Sequence, residues 1–271
     1  MSQDRSLDNA ELLAVLDWYQ SAGVDLAVGE APVDRFAQIA PAPQAIAPRP
    51  AQPSQTAAAA APVPAAALGG DPSEARQLAA SAQSLEQLRG ILDGYNGCGL
   101  KFRATQLVFA DGNPEAKIML IGEAPGAEED RQGKPFVGRS GQLLDRMLAA
   151  IGLDRSKVYI VNTVPWRPPG NRTPTPEEME LCLPFLNRQV ELVAPSLVMT
   201  LGGPAMQTVF KTTNGIIKMR GKWQRVAIGG HEVDAVPTLH PAYLLRNPAA
   251  KQQAWRDLLG LKVKMAELGL G

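Results

Sequence analysis

Apolar residues follow two patterns along this chain: short apolar runs typical of buried strands, and the spacing typical of one face of a helix. Short unbroken apolar runs bounded by turn residues indicate strands that are buried on both faces. Such runs occupy residues 118–121 and 158–161, and the mainly apolar segments 197–201 and 233–238 predict two further strands. The segments between and after them predict helices over residues 140–151, 175–193, 204–210 and 252–268. Strands that alternate with helices predict an α/β fold with three α/β/α layers around a central, mostly parallel four-stranded sheet.

The part of the chain before the first strand divides into three segments. Residues 73–94 place leucines and an isoleucine on one helical face and predict a single helix, so the compact domain is expected to span residues 72–271. Residues 37–71 are dominated by Ala and Pro, which predicts a disordered linker. Residues 1–36 predict a helical arm, with a short helix over residues 8–21. This arm either docks a protein partner or is a loosely held appendage.

Composition narrows the classes of protein to which the chain can belong. Its 271 residues are 45% hydrophobic, enough for a sizeable core. The 27 basic and 27 acidic side chains give a formal net charge of zero, so a nucleic-acid binder would need a local basic surface. No apolar run is long enough for a membrane span and no signal peptide is evident, so we expect a cytoplasmic protein. Two cysteines suggest no disulfide framework.

Chemically distinctive loops follow three of the predicted strands. The first strand runs into Glu123 of a Gly-Glu-Ala-Pro-Gly turn, and the chain soon reaches Phe136. The second strand leads into Asn162, and the last leads to His240. Because the carboxyl ends of parallel strands share one edge of a sheet, we expect an acid, an aromatic ring, an amide and an imidazole to meet there. That combination suits the recognition of a planar heterocycle.

Taken together, these motifs closely resemble those of the family 4 uracil-DNA glycosylases. The resemblance covers roughly residues 90–260 and keeps the family's order and approximate spacing. It implies a monofunctional enzyme of base-excision repair that hydrolyses the N-glycosidic bond of uracil in DNA and leaves an abasic site. Such an enzyme extrudes its target nucleotide into a pocket. Two alternatives stay open: a glycosylase for a broader range of deaminated bases, and a non-catalytic damage-binding module on the same fold.

The resemblance implies two catalytic residues. Glu123 would orient the attacking water or stabilise the positively charged sugar of the transition state. His240 would donate a hydrogen bond to uracil O2, for which a neutral imidazole suffices. The presence of Glu123, Asn162 and His240 argues against a pure binding module, because binding alone needs neither an acid nor a donor to the leaving group.

A second group of residues would bind the base. Phe136 would stack on the extruded uracil. Asn162 would accept from uracil N3–H and donate to O4, a pattern that cytosine reverses. Gly122 belongs to the same implied uracil-binding group. Glu129 would close the space beside uracil C5 and so exclude the methyl group of thymine.

A third group would contact the DNA around the extruded nucleotide. Its implied members are Arg172, Tyr243, Leu244, Leu245 and Arg246. Leu244 or Leu245 would act as a wedge that fills the gap left by the extruded base, while Arg246 meets a phosphate. The basic run over residues 218–225 is either a further DNA contact or only a solvated face.

The resemblance also implies a cofactor that the residues here do not support. Family 4 enzymes typically hold a [4Fe–4S] cluster with four cysteines, and the matching positions in this chain are Tyr95, Cys98, Trp166 and Cys182. A cluster needs four ligands, normally thiolates, so we expect no cofactor and a packed plug around Tyr95 and Trp166. Cys98 and Cys182 would be metal ligands only if a cluster persisted. The expected partner is uracil-containing DNA, bound by a monomer without membrane association.

Overall fold

The structure, a computed structural model, describes residues 70–270. The predicted arm over residues 1–36 and the predicted linker up to residue 69 therefore lie outside the described residues. The first described helix begins at Pro72, and the Asp71 carboxylate caps it by accepting from the backbone N–H of Ser73 at 2.7 Å. Helical structure in the described part thus starts where the Ala- and Pro-rich composition ends.

A six-stranded sheet forms the centre of the described part. Its strands are β1 (Asp111–Gly112), β2 (Ile118–Gly122), β3 (Tyr159–Asn162), β4 (Leu197–Leu201), β5 (Gln224–Ile228) and β6 (His231–Thr238). They lie in the order β1-β3-β2-β4-β6-β5, in which the four central strands pair in parallel and the two edge strands pair antiparallel. The four predicted strands are the central ones. The mostly parallel sheet is therefore confirmed, and the predicted number of four strands is wrong.

The two additional strands lack the apolar run that identifies a central strand. β1 is only two residues long. β5 is mostly exposed, because it lies at the edge of the sheet and pairs on one side only. The connection from β5 to β6 is a Gly229-Gly230 turn in which Gly229 has a φ of 61°, a conformation that favours glycine. The short length of β1 and the exposed edge position of β5 thus explain why hydrophobic patterning misses these strands.

Helices cover both faces of the sheet. In the described part they are α1 (Pro72–Ser81), α2 (Leu85–Gly94), α3 (Ala127–Gln132), α4 (Arg139–Ala149), α5 (Pro176–Val193), α6 (Gly203–Phe210), α7 (Ile216–Met219), α8 (Pro241–Arg246) and α9 (Lys251–Glu267). Neighbouring residues of β2 face opposite ways: Leu120 packs with residues of α4 and α9, and Ile121 packs with residues of α5. The predicted three-layer architecture is therefore confirmed. Among the helices of residues 70–270, none is both long and apolar enough to cross a membrane.

The predicted single helix over residues 73–94 is two helices. Ala82 leaves the helical conformation with a ψ of 131°, and its carbonyl accepts from the Arg188 guanidinium of α5 at 2.8 and 3.0 Å. Ser84 then caps α2 by accepting from the backbone N–H of Gln87 at 3.2 Å. A contact from a distant helix thus stabilises the break, which local periodicity does not reveal.

A buried carboxylate of α9 holds the carboxyl end of β6. Asp257 is 3% exposed and accepts from the Thr238 hydroxyl at 2.8 Å. It also accepts from the Arg220 guanidinium at 2.6 and 3.1 Å, and Arg220 donates in addition to the Gln253 carbonyl. Thr238 is the last residue of β6 and lies shortly before His240. The Arg220–Asp257 pair therefore supports the point at which His240 leaves the sheet.

We expect Asp257→Ala to lower the free energy of unfolding by about 3–5 kcal/mol, because removing one partner of a buried ion pair leaves the other charge uncompensated. Urea denaturation measures the effect. Arg225→Gln is the matched control: Arg225 pairs with Asp234 at 3.3 Å, but its side chain is 59% exposed. Its loss should stay below about 1 kcal/mol. Equal losses in the two variants would contradict the structural role of Asp257.

Candidate active site

A cavity of about 450 Å³ opens at the carboxyl edge of the parallel strands. The four side chains expected from the loops all line it: Glu123, Phe136, Asn162 and His240. Glu129, Arg172 and Arg246 also line it. The four expected residues lie on four separate segments of the chain, and the parallel sheet brings those segments to one edge. The volume suits a single nucleobase with part of its sugar.

Asn162 reaches the cavity from the end of β3, where it pairs with Gly122 at the end of β2. The residue is 6% exposed, and its Oδ1 atom has no hydrogen-bond partner within the described residues. A β-carbon at Gly122 would overlap this oxygen and would lie 2.7 Å from the Phe136 ring. Gly122 is therefore required for the close packing of amide and ring. A buried acceptor without a partner beside a cavity indicates that a ligand supplies the donor.

Glu123 follows β2 directly and is half-buried. Its backbone carbonyl accepts from the Thr163 hydroxyl at 2.6 Å and from the backbone N–H of Val164 at 3.1 Å. Both acceptor sites of the carbonyl are thus used within the fold, and the residue, with its carboxyl side chain, lines the cavity. Burial raises the pKa of this carboxyl above its ordinary value of 4.5, while a hydrogen bond from Thr173 opposes the shift.

Phe136 forms an aromatic wall of the cavity. The residue is 5% exposed, and the centre of its ring lies 5.5 Å from that of His240 at an angle of 32° between the two planes. Its backbone has a φ of 54°, in the left-handed region that bulky side chains rarely adopt. The ring also belongs to the hydrophobic core between the sheet and α4. Core packing and cavity lining are therefore two functions of the same side chain.

Glu129 lines the cavity and also holds the loop after Phe136. The residue is 8% exposed, and its carboxylate accepts from the backbone N–H groups of Val137 at 3.0 Å and Gly138 at 2.9 Å. Gly138 immediately precedes α4 and has no side chain with which to cap that helix. Glu129 thus stabilises the start of α4, a contact that the sequence does not predict.

His240 caps α8 and is held in one tautomer. Its Nδ1 atom accepts from the backbone N–H of Ala242 at 3.1 Å, so in the neutral ring the proton is on Nε2. Burial, followed by the positive charge of Arg246, lowers the pKa of His240 to about 4. At neutral pH the ring is therefore an uncharged N–H donor, which is the state that the predicted hydrogen bond to uracil O2 needs.

The segment after His240 forms part of the cavity rim, with one correction to the prediction. Tyr243 and Leu245 are each 38% exposed, and Arg246 is exposed and lines the cavity. Leu244 is 1% exposed and packs in the core with residues of α4 and α9. Leu244 therefore faces inward, because successive residues of a helix face different directions. Of the two leucines predicted as the wedge, Leu245 is the exposed one.

The basic residues proposed to contact DNA are partly engaged within the fold. Arg172 lines the cavity but also pairs with Glu178 near the start of α5, with N···O distances of 2.6 and 2.8 Å. Within the run over residues 218–225, Arg220 pairs with buried Asp257, and Arg225 pairs with Asp234. Arg220 is thus engaged within the core, whereas the lysines of that run and Arg225 are exposed.

The positions that match the cluster ligands are packed together in a hydrophobic core. Cys98 and Cys182 have their Sγ atoms 3.8 Å apart, and both are buried. Tyr95 and Trp166 are 4% and 1% exposed in the same core, and the Tyr95 ring lies 5.2 Å from that of Phe185. Across residues 70–270, no group of three or more His, Cys, Asp or Glu side chains is placed to hold a metal ion. These residues do not fit a [4Fe–4S] cluster, because aromatic rings occupy two ligand positions.

Two residues near the cavity carry no signal in the sequence. Arg155, in a short 3₁₀ helix (Arg155–Lys157) before β3, donates to the backbone of the loop that holds Phe136. Thr173 lines the cavity and interacts with Glu123. Both lie in polar connecting segments, where an arginine or threonine is ordinarily a solvated residue. Only their tertiary contacts distinguish them.

Comparisons with known proteins agree with this geometry. The Uracil DNA glycosylase superfamily model matches residues 109–259. The chain is similar to the type-4 uracil-DNA glycosylase of Thermotoga maritima, with 44% identity over 154 residues that cover 55% of this chain and 77% of that protein. It is 39% identical to the type-4 uracil-DNA glycosylase of Archaeoglobus fulgidus over 179 residues, which cover 65% of this chain and 90% of the relative.

A third relative is the type-4 uracil-DNA glycosylase of Saccharolobus solfataricus, which is 43% identical over 167 residues, or 60% of this chain and 77% of the relative. In all three comparisons the match spans more than half of this chain and more than two thirds of the other protein. The chain therefore belongs to the uracil-DNA glycosylase superfamily, among its type-4 members.

Proposed function

We propose that this protein is a uracil-DNA glycosylase, which hydrolyses the N-glycosidic bond of uracil in DNA and leaves an abasic site for base-excision repair. The observation that carries the proposal is the convergence of a carboxylate, an aromatic ring, an unpartnered amide oxygen and a neutral imidazole on one cavity. The reaction develops charge on the sugar and on the departing uracil. In this proposal the carboxylate contacts the sugar and the imidazole contacts the uracil, while the amide and the ring bind the base.

Base identity follows from Asn162 and Phe136. The Asn162 Oδ1 atom, buried and without a partner in the described part, accepts from uracil N3–H. Cytosine has an acceptor at N3 and would leave two lone pairs facing each other, which costs about 1–3 kcal/mol for an unsatisfied buried group. The Phe136 ring stacks on the base face and contributes about 1–3 kcal/mol irrespective of base identity. The amide therefore selects the base that the ring holds.

Bond cleavage follows from His240 and Glu123. As the C1′–N1 bond breaks, its electron pair moves onto uracil and spreads to O2, where the His240 Nε2–H donates. The positive charge that develops on the sugar faces the Glu123 carboxylate, which also orients a water toward C1′. The water oxygen bonds to C1′, its proton passes to the carboxylate and then to solvent, and the departing uracil anion takes up a proton from solvent. The products are uracil and an abasic deoxyribose.

Access to the bond requires extrusion of the nucleotide from the stacked helix. Leu245 and Tyr243, both partly exposed on the helix that carries Arg246, fill the gap in the stack, while Arg246 meets a backbone phosphate. The net charge of zero makes these local contacts, rather than a long-range field, the source of DNA affinity.

The protein is further proposed to act as a cytoplasmic monomer without an iron–sulfur cluster. The four groups of the cavity come from one chain, so the site requires no second copy. The packing of Tyr95 and Trp166 around two free thiols supports a cluster-free fold. For the N-terminal arm, which lies outside the described residues, the two alternatives stay open: a docking segment for a protein partner and a loosely held appendage.

The first test is excision from oligonucleotides that carry uracil, hypoxanthine or a thymine mismatch, read as strand cleavage after alkali. We expect excision of uracil, and a rate lower by roughly 100- to 1,000-fold in His240→Ala, by analogy with the loss of an oxyanion-hole donor. Arg225→Gln, at an exposed ion pair, should retain the full rate. Binding without excision by the wild-type protein would favour the damage-binding module, and equal excision of hypoxanthine would favour the broader specificity.

The second test is the pH dependence of kcat/KM, which reports groups of the free enzyme. Because burial raises the pKa of Glu123 above 4.5 while that of His240 is about 4, the acid limb should belong to Glu123. Activity should fall as the pH decreases through the raised pKa, since the carboxyl becomes neutral. The residual activity of Glu123→Gln should lack this limb, and that of His240→Ala should keep it. A limb that persists in Glu123→Gln would exclude this assignment.

The third test concerns iron. Anaerobically purified protein should contain no stoichiometric iron and show no visible absorbance, and treatment with a chelator should leave uracil excision unchanged. The double variant Cys98→Ala, Cys182→Ala should also retain excision, because the two thiols contribute core packing only. Four irons per chain, with activity lost in the double variant at unchanged secondary structure, would show that a cluster is present and required.

A further inference from the structure

The loop that carries Phe136 is held in an unfavourable backbone conformation. At a φ of 54° the residue lies in the left-handed region, which is unfavourable for a residue with a β-carbon. Such conformations persist only where the surrounding structure stabilises them, and they concentrate at functional sites. The position of the stacking ring therefore depends on contacts made by the backbone around Phe136.

Arg155 makes the contacts that reach this backbone from outside the cavity. Its guanidinium donates to the carbonyl of Pro135 at 3.2 Å and to the carbonyl of Phe136. Two carboxylates orient the guanidinium: Asp111 accepts from it at 2.6 Å and Asp145 at 2.8 Å. Arg155 has a side-chain exposure of 25%, so these interactions are partly shielded from water. Five N–H groups in a fixed fork suit this arrangement, whereas a lysine has a single charged nitrogen.

Two further features support the same loop from other directions. The Glu129 carboxylate accepts from the two N–H groups that follow Phe136. Gly141, in the first turn of α4, has no room for a side chain, because a β-carbon there would overlap the Phe136 carbonyl oxygen. The carbonyl of Phe136 thus lies between the Arg155 guanidinium and the backbone of α4. Glu129 lines the cavity and Arg155 does not, so the contacts of Arg155 can be removed without altering a cavity residue.

We propose that Arg155 is a positioning residue for base stacking: by holding the Pro135 and Phe136 carbonyls it fixes the left-handed turn that sets the Phe136 ring against the base. The inference rests on the proposed function for its effect on catalysis, and on the contacts of Arg155 for its effect on the loop. Arg155 does not itself touch the cavity, so it acts only through Phe136. A displacement of a reacting or stacking group by about 1 Å can lower a rate by about 100-fold.

A double-mutant cycle with Phe136→Ala tests this coupling. In the wild-type background, Arg155→Gln should lower the single-turnover rate of uracil excision by about 10- to 100-fold. In the Phe136→Ala background the same change should lower the rate by less than about 3-fold, because residues that act as a unit are not additive. Arg155→Lys should restore part of the rate. Equal effects of Arg155→Gln in the two backgrounds, or no effect in the wild type, would overturn the proposal.

Hydrogen exchange of the peptide over residues 133–138 provides a readout that does not depend on activity. Exchange should be faster in Arg155→Gln and unchanged in Lys157→Gln, the control, since Lys157 lies in the same 3₁₀ helix but contacts only the Gly152 carbonyl. If Arg155→Gln fails to fold, Asp145→Asn, which removes one partner of the guanidinium, should increase the same exchange to a smaller extent. Unchanged exchange in these variants would contradict the proposal. If these variants alter the exchange but the wild-type protein excises no uracil, Arg155 supports the loop and the proposed function is rejected.

Discussion

The close packing of three groups at the end of β2 is the constraint on which the site depends. The parallel register pairs Gly122 with Asn162, and the Asn162 amide oxygen and the Phe136 ring occupy the space that a β-carbon of Gly122 would require. Any side chain at that position would separate the amide from the ring. A glycine at the carboxyl end of a parallel strand thus lets an amide and an aromatic ring line one surface. The proposed function uses the amide for the edge of a base and the ring for its face.

Burial at this edge sets the protonation states of Glu123 and His240, the two polar groups proposed to act on the glycosidic bond. Desolvation disfavours charge, so it raises the pKa of Glu123 and lowers that of His240. At neutral pH the imidazole remains an uncharged donor, and its Nδ1 contact with Ala242 determines which nitrogen carries the proton. A donor and a carboxylate fixed in advance need little reorganisation when charge develops, which is the usual basis of electrostatic catalysis.

A second core joins the segments that a cluster would otherwise connect. Tyr95 follows α2, Trp166 lies after β3, and Cys182 belongs to α5, and all three are buried together. Large aromatic side chains bury about 150–250 Å² each and can stabilise such a junction by packing alone. Side-chain packing of this kind can therefore hold the loop that follows β3 in place without metal ligands.

What the sequence determined by itself was the set of central strands and the loops that follow them. Those strands are largely buried and mainly apolar, and the parallel topology brings Glu123, Phe136, Asn162 and His240 to one edge. Each of these signals is local or follows from a general rule of sheet topology. The central sheet and the four main cavity residues were therefore predictable.

Only the tertiary structure decided the features that depend on distant contacts. The break after α1 coincides with a contact from Arg188 of α5, and Leu244 is buried because α8 packs against the core. The exposed edge strand β5 has an apolar run of only three residues, and Arg155 contacts two carbonyls and two carboxylates that are remote in sequence. Hydrophobic periodicity reports burial along one element, whereas these features arise from the partner that the fold places beside it.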